Sequence, residues 1–458
     1  MFKTLLLLGA LCNFAISQST PDDASADGFW APTKVAAAWY AGWHQSEFPL
    51  DKVSWSKYTH MTYAFAETTP SLAGLNETGL TGLPAFVNEA HKHGVKALAS
   101  IGGWTGSPGF SFNLATPSNR TIFVKAVTNL AVKFKLDGLD FDWEFPNGLG
   151  IGCNSINPND TANFLLFLQE LRKDPIGKIL FLTAAVGINP WVDANGNPLT
   201  DVGGFSKVLN YVAIMNYDVW GSWSDTVGPN APLDDSCAPP SAQVGSAKSA
   251  IKAWKDAKFP ASQIVLGIPS YGHSFRVRRQ DAYLNGSTTQ LALYPPFDKN
   301  DPPAGDKWDD APGGVDICGV KQTQFGGNVD YWGMVDLGYL DSNGKPKDGR
   351  PYLFDNCSQT AYSYNPEQEI MISYDDPTST FAKGKFIKDN GLRGFATWEA
   401  GGDYKDLLLN AARKGAGFDN YDFCPSPYFP PPHFGSYPFT TNRWMKKPFT
   451  NSQKKLVQ

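Results

Sequence analysis

The sequence lacks a large excess of charge of either sign. Its 39 Lys and Arg residues nearly balance its 44 Asp and Glu residues, which leaves a net charge of −5 at pH 7. A small negative balance offers no attraction to nucleic acids or to anionic membranes. After the N-terminal segment, the sequence also lacks an apolar run long enough to cross a bilayer. The composition therefore argues against nucleic-acid-binding and membrane-spanning proteins, and we expect a soluble chain.

Cysteine is scarce as well, and its setting indicates an oxidising compartment. Residues 1–17 contain an early lysine, a leucine-rich core and small residues before a cleavage point, which predicts a secretory signal peptide. Five cysteines follow that segment: Cys153, Cys237, Cys318, Cys357 and Cys424. They predict two disulfides and one odd thiol, and the sequence alone does not assign the pairs. Five glycosylation sequons favour a secreted glycoprotein, at Asn76, Asn119, Asn159, Asn285 and Asn356.

The most informative stretch is 136–145, where three acids occupy every second position of an otherwise apolar run. In a strand, Asp140, Asp142 and Glu144 would point to one face, because side chains at i, i+2 and i+4 share a face. The other face would carry Leu139, Phe141 and Trp143. Like charges and burial raise carboxyl pKa values, so such a row is more often functional than structural.

Three interpretations of this acid row are open. It could be one solvated face of a sheet, which is the common meaning of a period of two. It could bind a hard cation, because clustered carboxylates suit such ions, although no histidine ligand or calcium loop lies nearby. It could also place a general acid at Glu144, with Asp140 and Asp142 tuning it. The apolar surroundings favour the general acid, and we expect no metal and no cofactor.

Strand-like and helix-like runs alternate along the chain, which is typical of a parallel sheet. Eight runs are predicted as strands: 35–40, 58–66, 95–101, 136–145, 179–186, 211–217, 264–269 and 392–398. The main helices are predicted at 85–93, 119–134, 160–172, 242–254 and 381–390. Eight such units predict an α/β fold, a (β/α)8 TIM barrel, with its active site at the C-terminal strand ends. Glu144 lies at the end of the fourth strand, where that rule expects a catalytic residue.

The spacing of the strands also predicts the domain organisation. About a hundred residues separate the seventh and eighth strands, too many for a loop in a compact barrel. We therefore predict an inserted subdomain at 274–369, with short β-like pieces such as 333–339. The barrel is assigned to 33–273 and 370–423, after a signal peptide at 1–17 and a lead-in segment at 18–32. Residues 424–458 are predicted to be a tail rich in proline and aromatic residues.

Several stretches together resemble one known family. The stretch DGLDFDWE at 137–144 resembles the signature of the family 18 glycoside hydrolases, the chitinases. Its supporting motifs occur in the expected order: YAFA at 63–66, SIGGW at 100–104, MNYD at 215–218, GIPSYG at 267–272, SYDD at 373–376 and GFATWE at 394–399. The resemblance covers roughly residues 33–410 and implies a TIM barrel with an α+β insertion between strands seven and eight.

The resemblance also implies a retaining, substrate-assisted mechanism. Glu144 would be the general acid and base, and the acetamido group of the sugar would attack the anomeric carbon. Asp142 would orient that group, Asp140 would share a proton with Asp142, and Tyr217 would bind the acetamido carbonyl. Trp398 would form an aromatic floor under the sugar. The remaining implied cleft residues are Tyr40, Phe65, Trp104, Met215, Asp218 and Tyr271.

Other interpretations of these residues stay open. Phe65 could simply fill the core, Met215 could lie inside the barrel, and the glycine pair at 102–103 could only permit close strand packing. His273 stands where the family motif often continues with arginine, which favours a local hydrogen-bonding role. The insertion contains Cys318 and Cys357, which could pair with each other.

The implied function is that of a secreted, monomeric chitinase. Its partners would be chitin and chito-oligosaccharides. An endo-β-N-acetylglucosaminidase acting on N-glycans is the main alternative, and a non-catalytic chitin-binding lectin is a further one. The long insertion and the indoles of Trp104 and Trp398 favour a linear chitin chain, while the presence of Glu144 favours hydrolysis over simple binding.

Overall fold

The computed structural model describes residues 34–71 and 74–418. The expected signal peptide, the lead-in segment, the C-terminal tail and Cys424 lie outside the described residues. Within the described part, every helix is too short or too polar to cross a bilayer.

The described strands form two sheets. In chain order they are β1 Val35–Ala41, β2 His60–Thr68, β3 Leu75–Asn76, β4 Lys96–Gly102, β5 Gly138–Asp142, β6 Phe181–Val186, β7 Tyr211–Ile214, β8 Ile264–Pro269, β9 Tyr271–Arg276, β10 Asn328–Asp330, β11 Tyr352–Asp355, β12 Thr360–Asn365, β13 Ile370–Tyr374 and β14 Gly394–Trp398. The α-helices are α1 Leu83–Lys92, α2 Phe110–Leu114, α3 Pro117–Phe134, α4 Asp160–Lys173, α5 Pro175–Ile179, α6 Gly203–Ser206, α7 Ala247–Asp256, α8 Arg279–Ala282, α9 Tyr331–Asp336, α10 Pro377–Asp389 and α11 Leu407–Ala416.

Eight of the strands close into a parallel barrel. Its order is β1, β2, β4, β5, β6, β7, β8 and β14, and β1 pairs with both β2 and β14 to complete the ring. The predicted (β/α)8 barrel is therefore confirmed. The bounds of most predicted elements shift by only a few residues. The largest shift is at the helix predicted over 242–254, which begins at Ala247 because the side chain of Ser246 caps it.

The barrel strands are buried on both faces, since helices cover the outside and side chains fill the inside. On β5 the outward residue Phe141 packs against Phe164 and Phe167 of α4. Trp143, which follows the strand, packs against Phe110 and Phe164. These contacts hold the apolar side of the acid strand against the helices, so its other side faces the barrel interior.

A second, antiparallel sheet lies between the seventh and eighth barrel strands in sequence. Its order is β10, β9, β13, β12 and β11. β9 begins before the predicted start of the insertion at 274, and β13 lies wholly beyond its predicted end at 369. The expected β-like piece at 333–339 is wrong, because Tyr331–Asp336 is a helix whose residues Tyr331 and Met334 pack into the subdomain core.

Two disulfides tie this insertion to the barrel. Cys153 pairs with Cys318, and Cys237 pairs with Cys357. The expected pairing of Cys318 with Cys357 is therefore wrong. Each bond joins one cysteine of the insertion to one cysteine of a loop that follows a barrel strand, so both connect the two parts of the chain.

Candidate active site

The acid row begins inside the barrel at the C-terminal end of β5. Asp140 and Asp142 belong to the strand, and Glu144 lies two residues beyond its last residue. The main-chain amide of Glu144 donates to Oγ of Ser107, which itself donates to the carbonyls of Gly103 and Asp142. The loop after β4 therefore fixes the backbone at the point where the row leaves the strand.

Asp140 is buried, and its hydrogen bonds come from three other strands of the barrel, β1, β4 and β6. Nε1 of Trp39 on β1 and Oγ of Ser100 on β4 donate to Oδ2, at 3.0 Å and 2.8 Å. Oγ1 of Thr183 on β6 donates to Oδ1 at 2.5 Å. Burial raises the pKa of Asp140 above its ordinary value, although these donors partly oppose the increase. With both oxygens occupied by neutral donors, the carboxyl group is held in one orientation.

Asp142 and Glu144 form a carboxyl pair that shares a poorly solvated space. Burial raises the pKa of Asp142 well above its ordinary value, and the negative charges of Glu144 and Asp140 raise it further. Burial raises the pKa of Glu144 from 4.5 to about 8, and the charge of Asp218 adds to the effect. Near neutral pH the pair therefore holds at least one proton. Oδ1 of Asp142 is buried and has no hydrogen-bond partner among the described residues.

Tyr217 and Asp218 enter the site from the end of β7. Tyr217 is buried, and burial together with the charge of Asp142 raises the pKa of its hydroxyl well above the ordinary value. Asp218 has a left-handed backbone, with φ of 55°. Its Oδ1 accepts from the hydroxyl of Tyr271 and lies 2.8 Å from Nε2 of His273. His273 is thus a local hydrogen-bonding partner of Asp218, as the sequence predicted.

An aromatic group forms the floor beside the acids. The half-buried indole of Trp398, at the end of β14, stacks on Phe65 with a centroid distance of 5.6 Å. Trp39 and Trp43 pack against the same indole at 5.9 Å and 6.3 Å. Three peptide bonds around the site are cis, namely Ala64-Phe65, Glu144-Phe145 and Trp398-Glu399. The position of Phe65 against Trp398 favours a role in the floor over simple core filling.

The glycine pair after β4 lets the backbone pass close to the acid strand. Gly102 and Gly103 have left-handed φ values of 105° and 81°. A Cβ at Gly102 would lie 2.2 Å from the carbonyl oxygen of Asp142, and one at Gly103 would lie 2.8 Å from the ring of Phe65. Larger residues would therefore displace both the acid strand and the aromatic floor.

An open cleft of about 500 Å³ lies beside the acid row, and its lining includes Asp218, whose charge raises the pKa of Glu144. Trp104, Asp218, Tyr271 and Trp398 line it, and the side chain of Trp104 is 49% exposed. The insertion forms a wall of the cleft through Asp306, Trp308, Asp309, Asp310, Gly326, Asn328 and Asp330. Met215 lies half-buried just beyond β7. The volume is typical of a site for a small ligand or a few units of a polymer.

One predicted cleft residue is wrong. Tyr40 is buried on the outer side of β1, where it packs on Tyr63 and Phe86 and its hydroxyl donates to the carbonyl of Phe48. Successive side chains of a strand point to opposite faces, so the residue that reaches the site is its neighbour Trp39.

Several further residues of the site were not predicted. Ser100 and Thr183 hold Asp140 from the two strands adjacent to β5. Glu399, next to Trp398, accepts from the amide of Ala41 and lies 2.8 Å from Nδ1 of His44. The imidazole of His44 stacks on Trp308 of the insertion at 3.8 Å. A short chain of contacts thus joins the eighth barrel strand to the wall of the cleft.

The chain is similar in sequence to known proteins over most of its length. Residues 35–403 match the model of the glycosyl hydrolases family 18. A "chitinase-like effector" of Moniliophthora roreri is 53% identical over 419 residues, which cover 91% of this chain and 100% of that protein. Chitinase A1 of Niallia circulans is 30% identical over 330 residues, or 69% of this chain and 42% of that protein.

The fold is also similar to that of a solved structure. The crystal structure of a chitinase from Rhizomucor miehei superposes with a TM-score of 0.75 and is 32% identical. The match covers 84% of this chain and 100% of that one.

Proposed function

Because the chain belongs to the glycosyl hydrolases family 18, we propose that it is a secreted chitinase that hydrolyses the β-1,4 bonds between N-acetylglucosamine units. The observation that carries the proposal is the complete acid row, in which Glu144 has a raised pKa beside a buried aspartate with a free acceptor oxygen. The two disulfides suit an oxidising compartment and support secretion.

The proposed reaction uses the substrate as its own nucleophile. Protonated Glu144 gives its proton to the glycosidic oxygen, and the bond from that oxygen to the anomeric carbon breaks. The carbonyl oxygen of the N-acetyl group attacks the same carbon and forms an oxazolinium ion. Glu144, now a carboxylate, removes a proton from a water molecule whose oxygen attacks the anomeric carbon. The bond from the acetamido oxygen to that carbon breaks, so the oxazolinium ring opens, the N-acetyl group is regenerated and the starting configuration is restored.

The neighbours of Glu144 have matching roles. Oδ1 of Asp142 is a buried acceptor, so an acetamido N–H could donate to it, and the carboxylate would stabilise the positive oxazolinium. Tyr217 would donate to the acetamido oxygen, and Asp218 would bind a sugar hydroxyl. Trp398 would support the apolar face of the sugar ring. A raised pKa keeps Glu144 protonated near neutral pH, which a general acid requires.

Chitin binding without hydrolysis is a second candidate, because two similar proteins bear the name "chitinase-like effector". That name leaves catalysis open. Glu144, Asp142 and Asp140 are all present in this chain, which favours an enzyme. The endo-β-N-acetylglucosaminidase alternative is less well supported, because the long insertion and the indoles of Trp104 and Trp398 in the cleft suit a linear chain better than a branched glycan.

One experiment separates these candidates. The protein and its Glu144→Gln variant are incubated with chito-oligosaccharides, fully deacetylated chitosan and an N-glycoprotein, and the products are identified by mass spectrometry. We expect cleavage of chito-oligosaccharides alone, and a loss of at least ~10²-fold in the variant, as is typical when a general acid is removed. Glycan release would support the glucosaminidase. Oligosaccharide binding without any cleavage would support the lectin, and cleavage of chitosan would overturn substrate assistance.

A further inference from the structure

His273 and Asp218 form a pair in contact at one side of the cleft. Nε2 of His273 lies 2.8 Å from Oδ1 of Asp218, and the hydroxyl of Tyr271 donates to the same oxygen at 2.8 Å. Both members of the pair line the cleft, but the side chain of His273 is only 5% exposed and that of Asp218 is 47% exposed. The pair therefore connects a buried imidazole to a carboxylate that reaches into the cleft.

The fold fixes the positions of both members of the pair. His273 lies on β9, which pairs with β10 on one side and with β13 on the other. The main-chain amide of Asp218 donates to Oδ1 of Asn230 at 2.8 Å, and Nδ2 of Asn230 donates to the carbonyl of Tyr271 at 3.0 Å. The indole of Trp223 packs against the imidazole at a centroid distance of 5.5 Å. The loop after β7 is thus tied to the strand that carries the imidazole.

The imidazole brings a variable charge to this side of the cleft. Among the described residues that line the cleft, His44 and His273 are the two that can carry a positive charge, and His44 lies beside Glu399 instead. A histidine side chain ordinarily gains or loses its proton between pH 5 and 8, whereas an arginine is always charged. The charge next to Asp218 is therefore one that changes near neutral pH.

The other titratable groups that face the pair are two tyrosines and two carboxyls. Burial raises the pKa of the hydroxyls of Tyr217 and Tyr271 well above the ordinary value, so both stay neutral. Asp330 on β10 lies opposite Tyr271 in the sheet, and Asp309 accepts from main-chain amides at the start of β10. Burial raises the pKa of these two carboxyls as well. Of these groups, Tyr271 and the imidazole are the ones in contact with the carboxylate of the pair.

Asp218 acts in turn on the proposed general acid. Burial raises the pKa of Glu144 to about 8, and the negative charge of Asp218 adds to the increase. An imidazolium beside Asp218 would cancel part of that charge, and a less negative surrounding favours the ionised form of a carboxyl group. Because Asp218 is half exposed, solvent screens the effect and makes it smaller than for a fully buried pair.

From this geometry we propose that His273 is a positioning residue that sets the acidity of Glu144 through Asp218. The neutral imidazole leaves Asp218 its full negative charge, which keeps the proton on Glu144. The imidazolium cancels part of that charge and makes Glu144 a stronger acid. The inference rests on the proposed chitinase function, and it adds that the upper pH limit of hydrolysis depends on a residue outside the acid row.

The test follows the proton of Glu144 directly. The side-chain carboxyl carbons of the glutamates are labelled with ¹³C, and the signal of Glu144 is assigned by its absence from the Glu144→Gln variant. Its titration midpoint is measured by NMR in the parent, in His273→Gln, and in His273→Arg and His273→Lys, which place a fixed charge beside Asp218. His44→Arg is the matched control, because it adds the same charge to the same cleft beside Glu399.

We expect the midpoint of Glu144 to fall by about half a pH unit or more in His273→Arg and His273→Lys. It should be the same in His273→Gln as in the parent, because the imidazole is neutral by the pH at which Glu144 ionises. The control His44→Arg should shift it clearly less. A parent midpoint equal to that of the two charged variants would overturn the proposal, as would an equal shift in the control.

The ring of His273 also provides a test that needs no variant at that position. Its ¹⁵N chemical shifts report whether the imidazole is charged in the parent protein. We expect the ring to lose its proton at a lower pH than Glu144. A ring that stays protonated while Glu144 ionises would contradict the proposal.

Kinetics separate this inference from the proposed function. The upper limb of the pH profile of kcat/KM on a chito-tetraose reports the general acid of the free enzyme. We expect this limb to move to lower pH in His273→Arg by the same amount as the midpoint of Glu144, and to stay in place in His273→Gln. A protein that shows the expected midpoints but cleaves no oligosaccharide would contradict the proposed function and support the link between His273 and Glu144. Hydrolysis with the same upper limb in the parent and in His273→Arg would contradict the link.

Discussion

Nε1 of Trp39 donates to Oδ2 of Asp140 at 3.0 Å, and the same indole packs against Trp398 at 5.9 Å. The first strand of the barrel therefore connects the innermost acid to the aromatic floor. Asp140 is one of the charges that raise the pKa of Asp142, so its orientation affects the pair that performs the proposed chemistry. Trp39 is thus a positioning residue that acts through Asp140.

The variant Trp39→Phe tests this link, because it keeps an aromatic ring and removes the donor. Without this donor the carboxyl group of Asp140 would be less firmly oriented beside Asp142, so we expect turnover to fall, by roughly ten-fold if about 1.4 kcal/mol of transition-state stabilisation is lost, while oligosaccharide binding changes little. The control is Tyr40→Phe, which removes a hydroxyl on the opposite face of the same strand. Equal turnover in the two variants would show that the contact between Trp39 and Asp140 has no catalytic consequence.

The raised pKa of Glu144 predicts how the stability of the protein depends on pH. Its ordinary value is 4.5 and its folded value is about 8, so between these limits the folded state binds a proton that the unfolded state has lost. The free energy of unfolding therefore decreases as pH rises through this window, the opposite of a carboxylate stabilised by an ion pair.

Glu144→Gln removes this decrease in the free energy of unfolding, because an amide does not titrate. We expect the melting temperature of the variant to exceed that of the parent by roughly 2 °C or more at pH 8, and the two to converge below pH 4.5. Melting curves between pH 4 and pH 9 test this expectation, with the exposed Glu367→Gln as a control. A parent whose stability rises with pH in step with the variant would show that Glu144 ionises normally.

The variant Asp142→Asn tests whether the charge of the second acid in the row is needed, because an amide has nearly the same shape as a carboxyl group. An amide keeps the size of the side chain but could not stabilise the growing positive charge of the proposed oxazolinium, an interaction that would be made mainly in the transition state. We expect turnover to fall by about 10²-fold or more while oligosaccharide affinity stays within a few fold. If only the Michaelis constant increased, Asp142 would be a binding residue without a role in the chemical step.

The barrel and the acid row could be predicted because their patterns are local. Strands and helices alternate along the chain, and the three acids interrupt an otherwise apolar strand at a period of two. β1 differs, because all seven of its residues, VAAAWYA, are apolar or aromatic. Strands covered on both faces show no alternation between apolar and polar residues, so the sequence did not reveal that Trp39 points inward and Tyr40 outward.

The disulfide pairs and the polar partners of Asp140 could not be predicted for a different reason. Cys153 and Cys318 are 165 residues apart, and they meet only because the insertion extends back over the barrel. Ser100 and Thr183 are ordinary strand residues until the register of β4, β5 and β6 places them beside Asp140. Long-range geometry of this kind depends on the closed ring and has no signature in any single stretch.

Trp398 is half-buried, which favours a role as a platform for a sugar ring over a role as a core residue. Its indole stacks on Phe65 and lines the cleft, so one part of it is accessible to a ligand. We expect Trp398→Ala to weaken chito-oligosaccharide binding and to reduce turnover strongly, because the ring would support the sugar in the distorted shape that acetamido attack requires. Isothermal titration of the oligosaccharide and steady-state kinetics measure the two effects.

The control for this last variant is Trp254→Ala on α7, whose indole is fully buried against Trp191 and Phe259. Removing a buried aromatic side chain costs about 3–5 kcal/mol, so Trp254→Ala should lower the melting temperature strongly while the folded fraction keeps its activity. Trp398→Ala should show the reverse, with a small change in melting temperature and a large loss of binding. A large loss of stability with normal activity in the folded fraction of Trp398→Ala would identify Trp398 as a core residue of the barrel.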